Sequence, residues 1–112
     1  MEKSEIIKYD KLIRDRIPEI IENAGNKAVV ETLDKDSFQK YLNRKLEEEM
    51  KEYLECGSAE ELADLVEVVY ALLDCKGISR EEFERIRVTK VNERGAFKKR
   101  LLLKEVIKSD KK

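Results

Sequence analysis

Residues 44–73 read RKLEEEMKEYLECGSAEELADLVEVVYALL and hold two apolar-periodic segments separated by the short break Cys56-Gly57-Ser58. Apolar residues on both sides of this break recur every three or four positions, which is the spacing of one face of an α-helix. Ser58 and Glu61 have the spacing of a capping box that begins a helix. Because the connection is so short, we predict that the two helices pack as an antiparallel hairpin.

Several carboxylates in this stretch fall on the apolar side of their helices. On a wheel at about 100° per residue, Glu49 lies inside the apolar stripe of the first helix and Glu52 lies at its edge. In the second helix Glu61 projects into the apolar arc and Asp64 borders it. The two stripes comprise Phe38, Leu42, Leu46, Met50 and Tyr53, and then Leu62, Leu65, Val66, Val69, Leu72 and Leu73. We therefore predict that four carboxylates converge across the hairpin seam.

Converging carboxylates at the seam need a compensating positive charge, because an unpaired buried charge costs several kcal/mol and like charges repel. Lys45, at the edge of the apolar stripe of the first helix, is the one basic residue at the right position along either helix to pair with these carboxylates. Oxygen-only ligands suit Mg²⁺ or Mn²⁺, which makes a divalent ion the favoured partner. Two simpler interpretations stay open: Glu61 serves as a capping residue, or Glu49 pairs with a lysine of a second subunit.

The remaining sequence predicts an all-α fold with one short extended or β segment. Pro18 suits a first helical turn, and Gly25 is placed to end that helix. Ser79 and Glu82 repeat the capping signature of the hairpin. The predicted segments are a helical entry at 9–24, an extended segment or small strand at 28–33, helices at 36–55, 58–77 and from 79 to about 95, and an ambiguous strand or helix within 98–112.

The composition bounds the class of protein. The chain has 112 residues, which predicts one domain spanning 1–112 with a basic tail at about 105–112. Its net charge of −1, from 24 basic and 25 acidic residues, indicates neither a nucleic-acid nor a membrane partner. The chain carries no apolar run long enough to span a bilayer and no signal-peptide core, so we expect a cytoplasmic protein. Since the sequence has no His, triads that depend on it are excluded.

The apolar surface predicted for the second helix exceeds what one partner helix covers. Ala63 and Tyr70 extend the apolar character around most of its circumference. Two hairpins that form a four-helix bundle would bury the remainder, so we expect a homodimer or homotetramer.

Four blocks of the sequence together are similar to one family. The pair KLEEEMKE and EELADLVEV, at 45–52 and 60–68, resembles the E-E-x-x-E … E-x-x-D signature of the MazG-like, all-α nucleotide pyrophosphohydrolases. The blocks YDKLIRDRIPEII, at 9–21, and KVNERGAF, at 90–97, resemble its house-cleaning branch, which removes non-standard nucleotides and is related to phosphoribosyl-ATP pyrophosphohydrolase. The likeness covers roughly Tyr9 to Phe97.

The resemblance implies a Mg²⁺-dependent enzyme that splits a nucleoside triphosphate between its α and β phosphates. Carried over residue by residue, it implies that the metal ligands are Glu49, Glu52, Glu61 and Asp64. It also makes Glu48 a candidate for positioning water, and the proton acceptor would be Glu48, Glu49 or Glu52.

Basic residues of the flanking blocks then become candidates for binding the triphosphate, since Arg presents a bidentate fork to phosphate oxygens. These candidates are Lys11, Arg14, Arg16, Lys90 and Arg94. Two alternative functions stay open at this point: phosphoribosyl-ATP pyrophosphohydrolase of histidine biosynthesis, and a non-catalytic helical dimerisation or adaptor domain.

Overall fold

A computed structural model of the chain describes residues 4–110 and contains four helices. They are α1 (Ile17–Asn23), α2 (Lys35–Cys56), α3 (Ala59–Cys75) and α4 (Arg80–Arg94). Residues 4–110 contain no β-strand, so the all-α prediction is confirmed. Within the same residues, no helix combines the length and the apolar character needed to cross a membrane.

The N-terminal part of the chain is less helical than predicted. The predicted helical entry at 9–24 is wrong in its first half, since α1 begins only at Ile17 and residues 4–14 are irregular. Pro18 lies in the first turn of α1, where its missing N–H costs nothing. Gly25 follows the end of α1 and has a positive φ of 89°. Residues 28–33 form no strand, because a lone strand has no partner in the described part of the chain to accept its hydrogen bonds.

The hairpin of α2 and α3 is delimited by local capping interactions. Asp34 caps α2 by accepting a hydrogen bond from the backbone N–H of Ser37 at 2.8 Å. Gly57 ends α2 in the left-handed conformation, with φ 69°, and its N–H bonds to the carbonyl of Tyr53. Ser58 then caps α3 by accepting from the N–H of Glu61 at 3.3 Å. With this two-residue connection α2 and α3 pack against each other, as predicted.

A Schellman motif ends α3 and precedes α4. The N–H of Ile78 bonds to the carbonyl of Leu73 at 2.9 Å, and the N–H of Gly77 bonds to that of Asp74 at 3.1 Å. The last α-helical residue is therefore Cys75, two residues before the predicted end. Residues 98–110 form neither helix nor strand, and the rest of the ambiguous tail, 111–112, lies outside the described residues.

The buried core of the described residues lies between α2 and α3. It contains Leu42, Val68 and Leu73 together with Glu49. Three predicted stripe residues are instead exposed, because a single hairpin buries only one side of each helix: Met50 (49%), Leu62 (42%) and Val66 (44%). The described chain divides into two compact units, one up to Arg80 and one from Glu81 onward, and the single domain over 1–112 stays a prediction.

Candidate metal centre

Glu49 is the one buried charged residue of the described chain, at 6% exposure. It lies two helical turns after Leu42, on the face of α2 that packs on α3, which is where the wheel placed it. Lys45, one turn earlier, lies 3.5 Å from its Oε1. The basic residue at the stripe edge therefore compensates part of the Glu49 charge.

Glu61 reaches the same region from the first turn of α3. The cap involves the backbone N–H of Glu61, which donates to the Ser58 hydroxyl oxygen, whereas the side-chain carboxylate of Glu61 is directed elsewhere. Oxygens of Glu49, Glu61 and Asp64 lie within 4.8 Å of one another. The capping role and the cluster role of Glu61 are thus compatible, because they use different atoms.

Two oxygens in this cluster are buried without a partner. Among residues 4–110, neither Oε2 of Glu49 nor Oε2 of Glu61 has a hydrogen-bond partner. Buried polar atoms of folded proteins are nearly always satisfied, so each exception needs a physical explanation. Both oxygens are hydrogen-bond acceptors on carboxylates that lie close to further carboxylates, so the partner that suits them is a cation or a hydrogen-bond donor.

Burial raises the pKa of Glu49, and a hydrogen bond and negative charge from Glu52 raise it further. Burial also raises the pKa of Glu61, followed by the charges of Glu52 and Asp64. Glu52 therefore interacts with both glutamates, although the close group of three is formed by Glu49, Glu61 and Asp64. Three of the four predicted ligands therefore lie close together, and Glu52 is near two of them but outside the close group.

Two basic residues of the irregular N-terminal segment lie against this cluster. Lys11 donates to Glu48 at 3.0 Å, and Arg14 donates to Asp64 at 2.6 Å. Lys45 also contacts Glu48, at 3.4 Å. Although burial acts to raise the pKa of Glu48, the hydrogen bond from Lys11 and the charge of Lys45 lower it overall.

The charges of the cluster do not balance. Among the described residues, salt bridges join three cations to three of the five carboxylates of the cluster, and the cluster carries an excess of two negative charges when all its groups are ionised. The cations are Lys11, Arg14 and Lys45, and the carboxylates are Glu48, Glu49, Glu52, Glu61 and Asp64. An excess of two charges, oxygen-only donors and two unpartnered buried oxygens fit a hard divalent cation such as Mg²⁺ or Mn²⁺.

The other predicted phosphate-binding residues are placed differently. Arg16 contacts Glu19 at 3.2 Å, within its own segment. Lys90 and Arg94 lie one turn apart on α4, in the unit that begins at Glu81, and both are exposed. The role of all three in binding phosphate stays a prediction.

The ion pairs of Lys11 with Glu48 and of Arg14 with Asp64 were not predicted from the sequence. No local signal could have found them, since 37 and 50 residues separate the partners and the basic residues lie outside any helix. The contact of Lys45 with Glu49 follows an i,i+4 spacing and could be expected from the sequence.

Comparisons with known proteins assign neither a family nor a function to this arrangement. No protein-family model matches the chain, and no solved structure is similar to it. One curated relative, an uncharacterized protein from Mycolicibacterium smegmatis (strain ATCC 700084 / mc(2)155), is 45% identical over 42 residues. That match covers 38% of this chain and 43% of the relative, so the chain spans less than half of the relative's length.

Proposed function

We propose that this chain is a Mg²⁺-dependent nucleoside triphosphate pyrophosphohydrolase of the MazG-like, all-α type. It would release a nucleoside monophosphate and pyrophosphate by cleavage between the α and β phosphates, and the resemblance favours non-standard nucleotides as substrates. The observation that carries the proposal is that Glu49 and Glu61 each bury one unpartnered oxygen and belong, with Asp64, to a group of carboxylates whose oxygens lie within 4.8 Å of one another. A purely structural hairpin gains nothing from burying them, because each carries a desolvation cost.

Glu49, Glu61 and Asp64 are the residues that would hold the ion. When bound, Mg²⁺ supplies positive charge to phosphate oxygens and makes water more acidic. Metal binding requires ionised carboxylates, whereas the raised pKa of Glu49 and Glu61 favours their protonated forms. Metal binding should therefore release protons at mildly acidic pH.

Glu52 is the better candidate for the base that accepts a proton from the attacking water. It lies close enough to Glu49 and Glu61 to raise the pKa of both. Glu48, the alternative, is held by Lys11 and Lys45 and has a lowered pKa, which makes it a weaker base. We assign proton acceptance to Glu52 and positioning of Lys11 to Glu48.

Lys11 and Arg14 would act on the leaving pyrophosphate. Both approach the carboxylates from the same irregular segment, and both side chains are about half exposed, at 52% and 55%. Cations at the edge of a metal-phosphate site stabilise charge that develops on the leaving group.

The test is hydrolysis of a panel of standard and modified nucleoside triphosphates with Mg²⁺, with pyrophosphate and phosphate release measured separately. We expect pyrophosphate release that Glu49→Gln abolishes and Glu47→Gln leaves intact, since Glu47 is an exposed residue of the same helix. Phosphate release in place of pyrophosphate would contradict the proposal. Activity restricted to phosphoribosyl-ATP would identify the histidine-pathway alternative.

A non-catalytic dimerisation or adaptor domain is the alternative from another class. The exposed apolar residues of α2 and α3 favour it as well as they favour an oligomeric enzyme. Absence of hydrolysis across the panel and with phosphoribosyl-ATP, together with a melting temperature that Mg²⁺ does not change, would support this alternative.

A further inference from the structure

Arg14 forms an ion pair with Asp64, one of the residues proposed to hold the metal. Its Nη2 donates to Oδ1 of Asp64 at 2.6 Å, and Asp64 is one of the three close carboxylates. The guanidinium and a divalent cation would therefore require the same side chain. Two positive centres about 4 Å apart repel each other, so occupation of Asp64 by one disfavours the other.

The other two cations of the cluster are placed differently. Lys11 contacts Glu48, which lies outside the group of three. Lys45 contacts Glu49 from one turn earlier on the same helix, and its side chain is only 21% exposed. Arg14 comes instead from the irregular residues 4–14 and is 55% exposed, so it can leave its carboxylate without displacing a helix.

We infer that Arg14 is an exchangeable counter-ion, which pairs with Asp64 in the metal-free protein and contacts substrate phosphate once Asp64 ligates the divalent cation. This inference rests on the proposed function. A guanidinium released from a carboxylate finds a matching bidentate partner in a phosphate group. Arg14 thereby opposes metal binding and favours phosphate binding.

The inference predicts opposite effects of one substitution. An exposed ion pair contributes little, so its removal in Arg14→Gln should tighten Mg²⁺ binding by about two- to fivefold. The same substitution should weaken the binding of inorganic pyrophosphate at saturating Mg²⁺ by about tenfold or more, because a charged hydrogen-bond donor is lost. A residue with only a structural role would not change the two affinities in opposite directions.

The experiment is isothermal titration of the metal-free full chain with Mg²⁺, followed by titration of the Mg²⁺-saturated chain with inorganic pyrophosphate. Arg14→Lys retains the charge and loses the fork, so we expect wild-type Mg²⁺ affinity with weakened pyrophosphate binding. Arg87→Gln is the matched control, because Arg87 forms an ion pair with Glu84 at the same 55% exposure within the other unit. It should change neither affinity.

A double-mutant cycle separates the direct pair from a general charge effect. In the background of Asp64→Asn, Arg14→Gln should no longer tighten Mg²⁺ binding. Unchanged or equally weakened affinities in Arg14→Gln, with Mg²⁺ bound normally by the wild type, would overturn this inference and leave the proposed function intact. A wild type that binds no Mg²⁺ would overturn both.

Discussion

Glu49 of α2 and Glu61 of α3 face each other across the hairpin, each with one buried oxygen that has no partner among the described residues. The two residues come from helices joined by only Gly57 and Ser58, so their approach is a direct consequence of the turn. Folding thus brings carboxylates together in the buried seam of the hairpin. The arrangement destabilises the folded metal-free chain and provides oxygen ligands if a cation binds.

Mg²⁺ should stabilise the wild-type protein against heat. A ligand at ten times its dissociation constant adds about 1.4 kcal/mol to the free energy of unfolding, which raises the melting temperature of a domain this size by several degrees. Glu49→Gln should abolish this increase, whereas Glu47→Gln should retain it. Differential scanning fluorimetry over a range of Mg²⁺ concentrations measures both, and an equal response of wild type and Glu49→Gln would argue against the assigned ligands.

The metal-free protein should be more stable at mildly acidic pH than at pH 7. The raised pKa of Glu49 and Glu61 means that the folded chain binds protons more readily than the unfolded chain, so the free energy of unfolding increases as pH falls toward the ordinary value of 4.5. The pKa values of Asp34, Glu48 and Glu84 are lowered, so their stabilisation is lost as pH falls further. Urea denaturation from pH 7.5 to 3 should show a maximum between these limits.

Neutralising Glu49 in the metal-free protein should increase the free energy of unfolding, as mild acidification should. Glu49→Gln should increase the free energy of unfolding at pH 7 by about 0.5–2 kcal/mol, the common size of a single stabilising substitution. The increase should vanish near pH 4, where the wild-type carboxyl is itself protonated. A loss of stability at pH 7 would mean that Lys45 already compensates Glu49 in full.

Glu52 and Glu48 should differ in their effects on catalysis. If Glu52 accepts the proton, Glu52→Gln should lower kcat by about 10²–10⁴-fold, the usual contribution of a general base. Glu48→Gln should chiefly raise KM, because Lys11 loses the partner that positions it. Steady-state kinetics on the best substrate of the panel separates the two, and a larger loss of kcat in Glu48→Gln would reverse the assignment.

Gly57 should be needed for the hairpin. Its φ of 69° is unfavourable for residues with a Cβ, although a Cβ there would meet no atom within 4 Å. Gly57→Ala should therefore lower the free energy of unfolding by about 1–2 kcal/mol through backbone strain alone. Gly57→Asn should cost less, since Asn tolerates this conformation better. Urea denaturation of both variants would reveal whether the order is reversed.

The exposed apolar residues of the hairpin should decide the oligomeric state. Leu54 is 72% exposed on α2 and Val66 is 44% exposed on α3. If a second hairpin covers them, Leu54→Glu with Val66→Glu should shift the protein to monomer in sedimentation velocity. Leu102→Glu is the control, since Leu102 is 84% exposed in the other unit. A wild type that is already monomeric would contradict the predicted bundle.

The sequence alone determined the helical hairpin and the carboxylates that face its seam. Apolar periodicity, capping residues and Gly57 are local signals. They located the ends of α2 and α3 to within one or two residues, and they predicted that Glu49 and Glu61 point toward the seam. The same reasoning failed for the helix at residues 9–16 and for the strand alternative at 28–33, where helix and strand propensity received no support from packing.

Only the tertiary structure decided which cations meet these carboxylates. Arg14 and Asp64 are 50 residues apart, and the path of the irregular segment between Arg14 and the hairpin follows from no periodicity in the chain. The unpartnered oxygens are likewise a property of three dimensions, because a helical wheel gives the direction of a side chain and not its neighbours. Local spacing fixes which way a side chain points, and packing between distant segments fixes what it touches.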